Sequence, residues 1–134
     1  MGVILDTSVV IGLERGTVTL DAVTKGRESE PFGISVVTVA ELLHGVHRAK
    51  PAARRIQREA FVEQIIAQFT SYPFDLAAAR IYSRLWADLA SKGTAVGAHD
   101  LLIAATAISI GYEVLTVNER DFRRIPGLSH SKIS

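Results

Sequence analysis

The stretch VILDTS, residues 3–8, predicts both the fold class and the edge of the molecule where chemistry takes place. Residues 3–5 are apolar without alternation, which is typical of a strand buried on both faces of a parallel sheet. Asp6 stands at the carboxyl end of this strand, and Thr7 and Ser8 offer caps for the helix that follows. The start of the chain therefore predicts a strand–helix unit with an acid at the sheet edge.

The rest of the chain continues this alternation of strands and helices. Strands are predicted over residues 32–36, 71–74 and 113–117, and residues 100–110 are apolar all round, which indicates a buried helix. This order predicts an α/β fold in which a mostly parallel sheet of four to five strands lies between helix layers. We expect residues 1–134 to form a single domain.

Composition excludes several classes of protein. A hydrophobic fraction of 48% excludes intrinsic disorder, and the absence of cysteine excludes disulfides, zinc–thiolate sites and thiol catalysis. The net charge is only +1, so any contact with nucleic acid depends on local patches. The longest apolar stretch, residues 101–111, is shorter than the roughly 20 residues of a membrane span. We expect a soluble, cytoplasmic protein that does not associate with membranes.

Acidic residues recur where the predicted strands end. They are Asp6 after the first strand, Glu41 early in the helix after the second, Asp100 at the start of the apolar helix, and Asp121, which follows Asn118 after the last strand. The working edge of such a sheet lies beyond the carboxyl ends of its strands. Converging carboxylates repel one another, so a site that keeps them ionised normally binds a hard cation. Without cysteine or a His-Glu-x-x-His pair, Mg²⁺ or Mn²⁺ is the natural match.

Each acid also has a purely structural interpretation. Asp6 is suited to cap the helix that follows it. Thr38 and Glu41 have the spacing of a capping box, although a carboxylate among apolar neighbours needs a partner. Asp100 would complement the dipole of its helix, and Asp121 would be an ordinary loop acid. Taken singly, none of these residues identifies a catalytic site.

Four strings of sequence together resemble the motifs of the PIN domain family, and most of all its VapC-type members, the toxins of bacterial toxin–antitoxin pairs. The strings are LDTS at 5–8, VAELLHG at 39–45, HDLLIAA at 99–105 and TVNERDF at 116–122. The resemblance covers essentially the whole chain and implies a PIN-like three-layer sandwich. It also implies a Mg²⁺- or Mn²⁺-dependent endoribonuclease that cleaves RNA phosphodiesters with a metal-activated water.

The resemblance also assigns roles to the acids. Carried over by motif, Asp6, Glu41 and Asp100 are catalytic residues and ligands of the metal. Some relatives carry the fourth acid where Asn118 stands, and others carry it where Asp121 stands. We predict that Asp121 is the fourth catalytic and metal-binding residue, with Asn118 as a neutral ligand or water-orienting group.

Hydroxyl groups and histidines near these acids are candidate auxiliary groups. Thr7 and Thr116 would hydrogen-bond a metal-bound water, or would only cap or line the strand ends. His44 and His99 would act as a general acid or contact the substrate, or would be held by backbone groups. The sequence leaves both alternatives open for each of them.

Basic residues are concentrated just after Glu41 in the chain. A solvated helix face is the ordinary interpretation of such a cluster, and a surface that binds the RNA backbone without reading its sequence is the functional one. The predicted RNA-binding residues are Arg48, Lys50, Arg54 and Arg55, and Arg120, Arg123 and Arg124 near Asp121 would add to them.

The resemblance further implies two protein partners, a second copy of the chain and a cognate antitoxin whose tail lies over the active site. The apolar fraction of 48% agrees with a homodimer, because not all of that surface can be buried in a chain of this length. Two alternatives are a PIN nuclease of RNA processing and a catalytically silent PIN-like binding module. The core acids are all present, which favours an enzyme.

Overall fold

The computed structural model describes residues 1–133, which form a five-stranded sheet flanked by helices. The strands are β1 (Val3–Leu5), β2 (Phe32–Ser35), β3 (Thr70–Tyr72), β4 (Glu113–Thr116) and β5 (His130–Lys132). Their order in the sheet is β3-β2-β1-β4-β5, and every neighbouring pair is parallel. In the centre of the sheet Leu5 lies opposite Ile34 and Leu115, so β1, β2 and β4 end at the same edge. The predicted α/β fold is confirmed.

Helices connect the strands. They are α1 (Thr7–Arg15), α2 (Leu20–Thr24), α3 (Val36–Arg48), α4 (Ala52–Gln68), α5 (Leu76–Ser91) and α6 (Ala98–Ile110), with a 3₁₀ turn at Phe122–Arg124 before β5. The helix predicted over residues 100–110 ends at Ile110 as predicted but begins two residues earlier, at Ala98.

The three-layer arrangement follows from the alternation of side chains along β1. Val3 and Leu5 pack with α1, α3 and α4 in one buried cluster. Ile4 points to the opposite face and packs with α5 and α6 in a second cluster. All three residues are fully buried, as expected for the central strand of a sheet covered on both faces.

Helix α6 is the buried helix that the apolar stretch predicts. Leu101 and residues 103–107 are inaccessible to solvent, and Gly111 ends the helix in a left-handed conformation with φ of 71°. The helix begins at Ala98, so Asp100 lies in its first turn, where its charge meets the helix dipole. None of the helices within residues 1–133 combines the length and apolarity that crossing a bilayer requires.

Two predicted caps are wrong, and the alternative prediction that Asp6 caps the first helix is confirmed. Asp6, not Thr7 or Ser8, is the N-cap of α1, because its carboxylate accepts a hydrogen bond from the Ser8 backbone. The capping-box interpretation of Thr38 and Glu41 is also wrong. Ser35 caps α3 and accepts from the Val37 amide, so Thr38 lies inside the helix. Glu41 is thus free of any capping role.

Two tyrosines fill space that glycines leave open on the α5–α6 side of the sheet. The ring of Tyr112 lies where a side chain at Gly2 would project, and the ring of Tyr72 does the same at Gly33. Their hydroxyls hydrogen-bond at 3.1 Å, and donation to Tyr112 raises the pKa of Tyr72 to about 12. The two rings meet edge to face, which fixes the packing over β1 and β2.

Candidate active site

An open hollow of about 290 Å³ lies at the edge of the sheet where β1 and β4 end, and we call it the acidic hollow. Its lining residues are Asp6, Ser8, Asp100, Thr116, Asn118, Arg120, Asp121 and Phe122. Three of the four predicted carboxylates therefore meet here, contributed by the ends of two strands and the first turn of α6. Parallel strands produce this convergence, because their carboxyl ends share one edge.

Asp6 is the most deeply buried of these acids, with 5% of its surface exposed. Its carboxylate accepts hydrogen bonds from the Ser8 hydroxyl at 3.1 Å and from the buried hydroxyl of Thr116. Burial raises the pKa of Asp6 above its ordinary value, and the hydrogen bonds from Thr116 and Ser8 oppose that rise. The carboxylate is therefore held in one orientation by groups on both neighbouring elements.

Asp100 and Asp121 form a carboxyl pair on the other side of the hollow. Burial, a hydrogen bond to Asp121 and the negative charges of Asp6, Asp121 and Glu41 raise the pKa of Asp100 to about 7. Repulsion from like charges disfavours the ionised form of a carboxyl. The charges of the other three predicted acids therefore all act on Asp100.

Glu41 approaches the acids from α3 but is held at the rim. One carboxylate oxygen accepts a hydrogen bond from the Thr7 hydroxyl at 2.6 Å, and the other lies 3.1 Å from Nδ1 of His99. Thr7 also lies 3.0 Å from the hydroxyl of Thr38, so α1 and α3 meet at this point. The Glu41 side chain does not line the acidic hollow, although its charge acts on Asp100.

Asn118 and Asp121 were both candidates for the fourth position of the site, and they have different contacts. The amide oxygen of Asn118 accepts a hydrogen bond from the Arg120 backbone at 3.1 Å, which shapes the turn after β4. Asp121 instead hydrogen-bonds Asp100. Of the two candidates, Asp121 is the one whose side chain joins the carboxylates.

The donor chemistry of the hollow fits a hard divalent cation. It offers carboxylate, hydroxyl and amide oxygens and no sulfur, and the repulsion that raises the pKa of Asp100 is what a cation relieves. Within residues 1–133, no three Asp, Glu or His side chains lie close enough to form a complete metal site as they stand. Two of the acids are instead hydrogen-bonded to threonines, namely Asp6 to Thr116 and Glu41 to Thr7.

Sequence reasoning missed the part that Ser8 plays in the site. Its hydroxyl donates to Asp6 and accepts from the Val117 amide at 3.3 Å, and so links α1 to the end of β4. The signal was the spacing of two residues between Asp6 and Ser8, which is typical of a local turn around an aspartate.

Of the predicted RNA-binding residues, Arg120 lines the acidic hollow itself, and three others lie elsewhere, around a second concavity of about 390 Å³ that we call the α3–α4 corner. Arg48, Lys50 and Arg54 line it together with Arg58, whereas Arg55 is exposed on α4 outside it. The α3–α4 corner and the acidic hollow have no lining residue in common.

Comparison with known proteins places the chain among ribonucleases. The model of the PIN domain family matches residues 3–128. The chain is 41% identical to Ribonuclease VapC1 of Rickettsia felis, over 100% of this chain and 98% of that protein. It is 39% identical to the tRNA(fMet)-specific endonuclease VapC of Salmonella typhimurium, over 71% of this chain and 70% of that protein. A crystal structure of VapBC-5 from Mycobacterium tuberculosis, a member of the VapBC family of toxin–antitoxin systems, matches with a TM-score of 0.75 and 34% identity, covering 99% of this chain and 98% of that chain.

Proposed function

Since the chain belongs to the PIN domain family, we propose that it is a metal-dependent endoribonuclease and the toxin of a type II toxin–antitoxin pair. The observation that carries the proposal is the meeting of Asp6, Asp100 and Asp121 in one hollow at the carboxyl edge of the sheet. The identity of 41% to a ribonuclease over the whole chain supports the same activity. We expect it to act in the cytoplasm, where its RNA substrate would be.

Asp6, Glu41, Asp100 and Asp121 would hold the cation, with Mg²⁺ as the expected ion and Mn²⁺ as an alternative. When bound, the cation supplies an activated water and stabilises the negative charge that develops on the phosphodiester. The repulsion from Asp6, Asp121 and Glu41 that helps to raise the pKa of Asp100 is what a cation held by these carboxylates would relieve. Asn118 would act through the turn that it shapes.

Thr116, Ser8 and Thr7 would serve as positioning residues. Thr116 and Ser8 hold the Asp6 carboxylate from two sides, and Thr7 holds that of Glu41. A ligand fixed by a neighbouring hydrogen bond loses less conformational freedom when the ion binds. These threonines would therefore orient carboxylates rather than contact a water directly.

The basic residues of α3 and α4 would bind the RNA backbone away from the reaction centre. Arg48, Lys50 and Arg54 surround one concavity, and the net charge of +1 leaves local patches as the source of attraction for RNA. Arg55 would extend this surface along α4. Contacts of this kind position the strand without reading its sequence.

The proposal includes two protein partners, a cognate antitoxin and a second copy of the chain. The match to a VapBC structure supports the antitoxin. Large apolar side chains left exposed on α5, Leu76 at 68% and Trp86 at 62%, support a dimer. Light scattering that finds only monomer at high concentration would contradict the dimer.

The proposed activity is tested with the purified full chain, Mg²⁺ or EDTA, and two substrates, total bacterial RNA and transcribed initiator tRNA. We expect Mg²⁺-dependent cleavage that Asp100→Asn abolishes and that Glu63→Gln, a matched loss of charge on exposed α4, leaves unchanged. Cleavage that survives EDTA would contradict the metal mechanism, and wild-type cleavage by Asp100→Asn would place the activity elsewhere.

The two alternatives predict different results in the same experiment. RNA that is bound but never cut would favour a catalytically silent binding module. Cleavage limited to precursor RNAs, with no effect on growth when the protein is produced without an antitoxin, would favour an RNA-processing nuclease.

A further inference from the structure

A second hollow adjoins the acidic one, between the turn after β4 and the edge strand β5, and we call it the basic hollow. It is open, has a volume of about 320 Å³, and is lined by Asn118, Glu119, Arg120, Arg123, Arg124 and Lys132. We propose that the basic hollow is a phosphate subsite that holds the RNA backbone next to the phosphodiester being cleaved. This inference rests on the proposed ribonuclease function and adds a binding site to it.

The charges of the basic hollow favour an anion. Four cations face a single carboxylate, Glu119, which already lies 2.5 Å from Nδ1 of His130 and 3.8 Å from the Arg123 guanidinium. Arg120 and Lys132 are exposed and form no ion pair with any of residues 1–133. Two cations that share one concavity without a carboxylate of their own are suited to a phosphate.

The basic hollow is continuous with the acidic hollow. Asn118 and Arg120 line both of them, so a strand that lies in one passes directly into the other. The carboxylates repel the phosphates of RNA, and cations beside them offset that repulsion where the scissile group must approach. The α3–α4 corner has no lining residue in common with either hollow. Under the proposed function it would therefore bind a different part of the strand.

The basic hollow is also held in shape before any ligand binds. Glu119 ties the turn after β4 to β5 through His130, and its carbonyl accepts from the Arg123 amide at 2.8 Å. The Arg124 guanidinium donates to the carbonyl of Ala95 at 3.0 Å. The backbone that carries Arg120 and Lys132 is therefore fixed before a ligand binds, and only their side chains lose conformational freedom on binding.

The test compares RNA binding by the full chain and by two double variants of equal charge. Arg120→Gln with Lys132→Gln removes the two unpaired cations of the basic hollow. Arg80→Gln with Arg84→Gln removes two exposed cations from α5 and serves as the control. The probe is a fluorescein-labelled single-stranded RNA of mixed sequence and about 20 nucleotides. Anisotropy is measured in EDTA, so that cleavage does not interfere, from 0.05 to 0.3 M salt.

For single strands each phosphate contact contributes about 0.7 to the slope of log affinity against log salt. Loss of one or two contacts at 0.1 M salt therefore weakens binding by about 5- to 25-fold and makes the slope shallower by about 0.7 to 1.4. The control variant keeps the wild-type affinity and slope. If both double variants have the same Tm as the wild type, their fold is intact.

Three results would overturn the inference. If Arg120→Gln with Lys132→Gln has the wild-type RNA affinity and salt slope, the phosphate subsite is contradicted, whereas the proposed ribonuclease activity is not. If the α5 control variant loses as much RNA affinity, the effect comes from the overall charge of the protein and not from the basic hollow. Loss of binding to an acidic antitoxin peptide, with RNA binding unchanged, would assign the basic hollow to a protein partner. A wild-type chain that neither binds nor cuts RNA would instead contradict the proposed function itself.

Discussion

Replacing Asp100 with Asn should stabilise the cation-free protein at neutral pH, although it removes a proposed ligand. The substitution keeps the size of the side chain, and its amide can still donate a hydrogen bond to Asp121. It removes a carboxylate whose pKa rises from 3.8 to about 7 because of burial, the hydrogen bond to Asp121 and the negative charges of the other three acids. The increase in the free energy of unfolding should appear only at pH values where the wild-type Asp100 carboxyl is ionised in the unfolded chain.

The direction of the pH effect follows from the raised pKa. Below about pH 4 the Asp100 carboxyl is protonated in the folded and the unfolded chain alike, so it costs nothing. Between about pH 4 and pH 7 the unfolded chain has lost this proton while the folded chain keeps it, and the free energy of unfolding falls as pH rises. Above about pH 7 the carboxyl is ionised in both the folded and the unfolded chain, so the loss of folding free energy no longer changes with pH.

The magnitude comes from the same displacement of the pKa. A carboxyl whose pKa rises from 3.8 to about 7 would lose roughly 4 kcal/mol of stability if water did not reach it. Asp100 is only half-buried and borders an open hollow, so solvent screening reduces this to about 1–2 kcal/mol. Burial also raises the pKa of Asp6, which adds a cost in the same direction.

The assay is urea unfolding in EDTA between about pH 4 and pH 8, with Glu63→Gln as the control for loss of a negative charge. We expect Asp100→Asn to equal the wild type near pH 4 and to exceed it by about 1–2 kcal/mol at pH 8. Glu63→Gln should follow the wild type throughout. The reasoning is refuted if Asp100→Asn is no more stable than the wild type at pH 8, or if its advantage is already complete at pH 4.

Three further predictions concern the ion, its positioning and the sheet. Mg²⁺ at 100 times its Kd should stabilise the wild type by about 2.7 kcal/mol, and a rise in Tm that persists in Asp100→Asn would contradict the proposed site. Thr116→Val should weaken Mg²⁺ binding and cleavage by about 10- to 100-fold, whereas Thr106→Val, which removes a buried hydroxyl from α6, should change neither. Gly33→Ala would place a carbon 2.8 Å from a carbonyl of the neighbouring strand and should cost about 1–3 kcal/mol. Gly45→Ala on α3 would place its carbon in ordinary contact with the Arg58 guanidinium, at 3.9 Å, and should instead stabilise by about 0.5–1 kcal/mol; chemical unfolding of both variants checks the pair.

Strands β1, β2 and β4 were predictable because each contains a run of buried residues, and the edge strand β5 was not. Its sequence, His130-Ser131-Lys132, is polar, and edge strands need only one row of main-chain partners. Backbone hydrogen bonds hold it, such as the one from the Ile133 amide to the Thr116 carbonyl at 2.9 Å. A strand of this kind has no hydrophobic pattern from which it can be predicted.

The acids of the site were predictable from their places at strand ends and helix starts, whereas their contacts were not. Asp6 and Asp121 reach the same hollow because β1 and β4 are neighbours and parallel. The contact between Glu41 and His99 depends on how α3 and α6 pack, which lies beyond local sequence. Lys132 joins the basic hollow only because β5 returns to the sheet beside the turn after β4.

Capping and catalysis are not competing explanations of Asp6, because they require different properties of the same side chain. An N-cap needs an oxygen that accepts backbone hydrogen bonds, and Asn meets that need as well as Asp does. Capping therefore accounts for the hydrogen bond from Ser8. It does not account for a carboxylate on a residue that is only 5% exposed to solvent. Burial of that charge raises the pKa of Asp6, and the charge of Glu41 acts in the same direction. The fold alone does not require the charge, so we propose that the Asp6 carboxylate is retained in the acidic hollow in order to bind a cation.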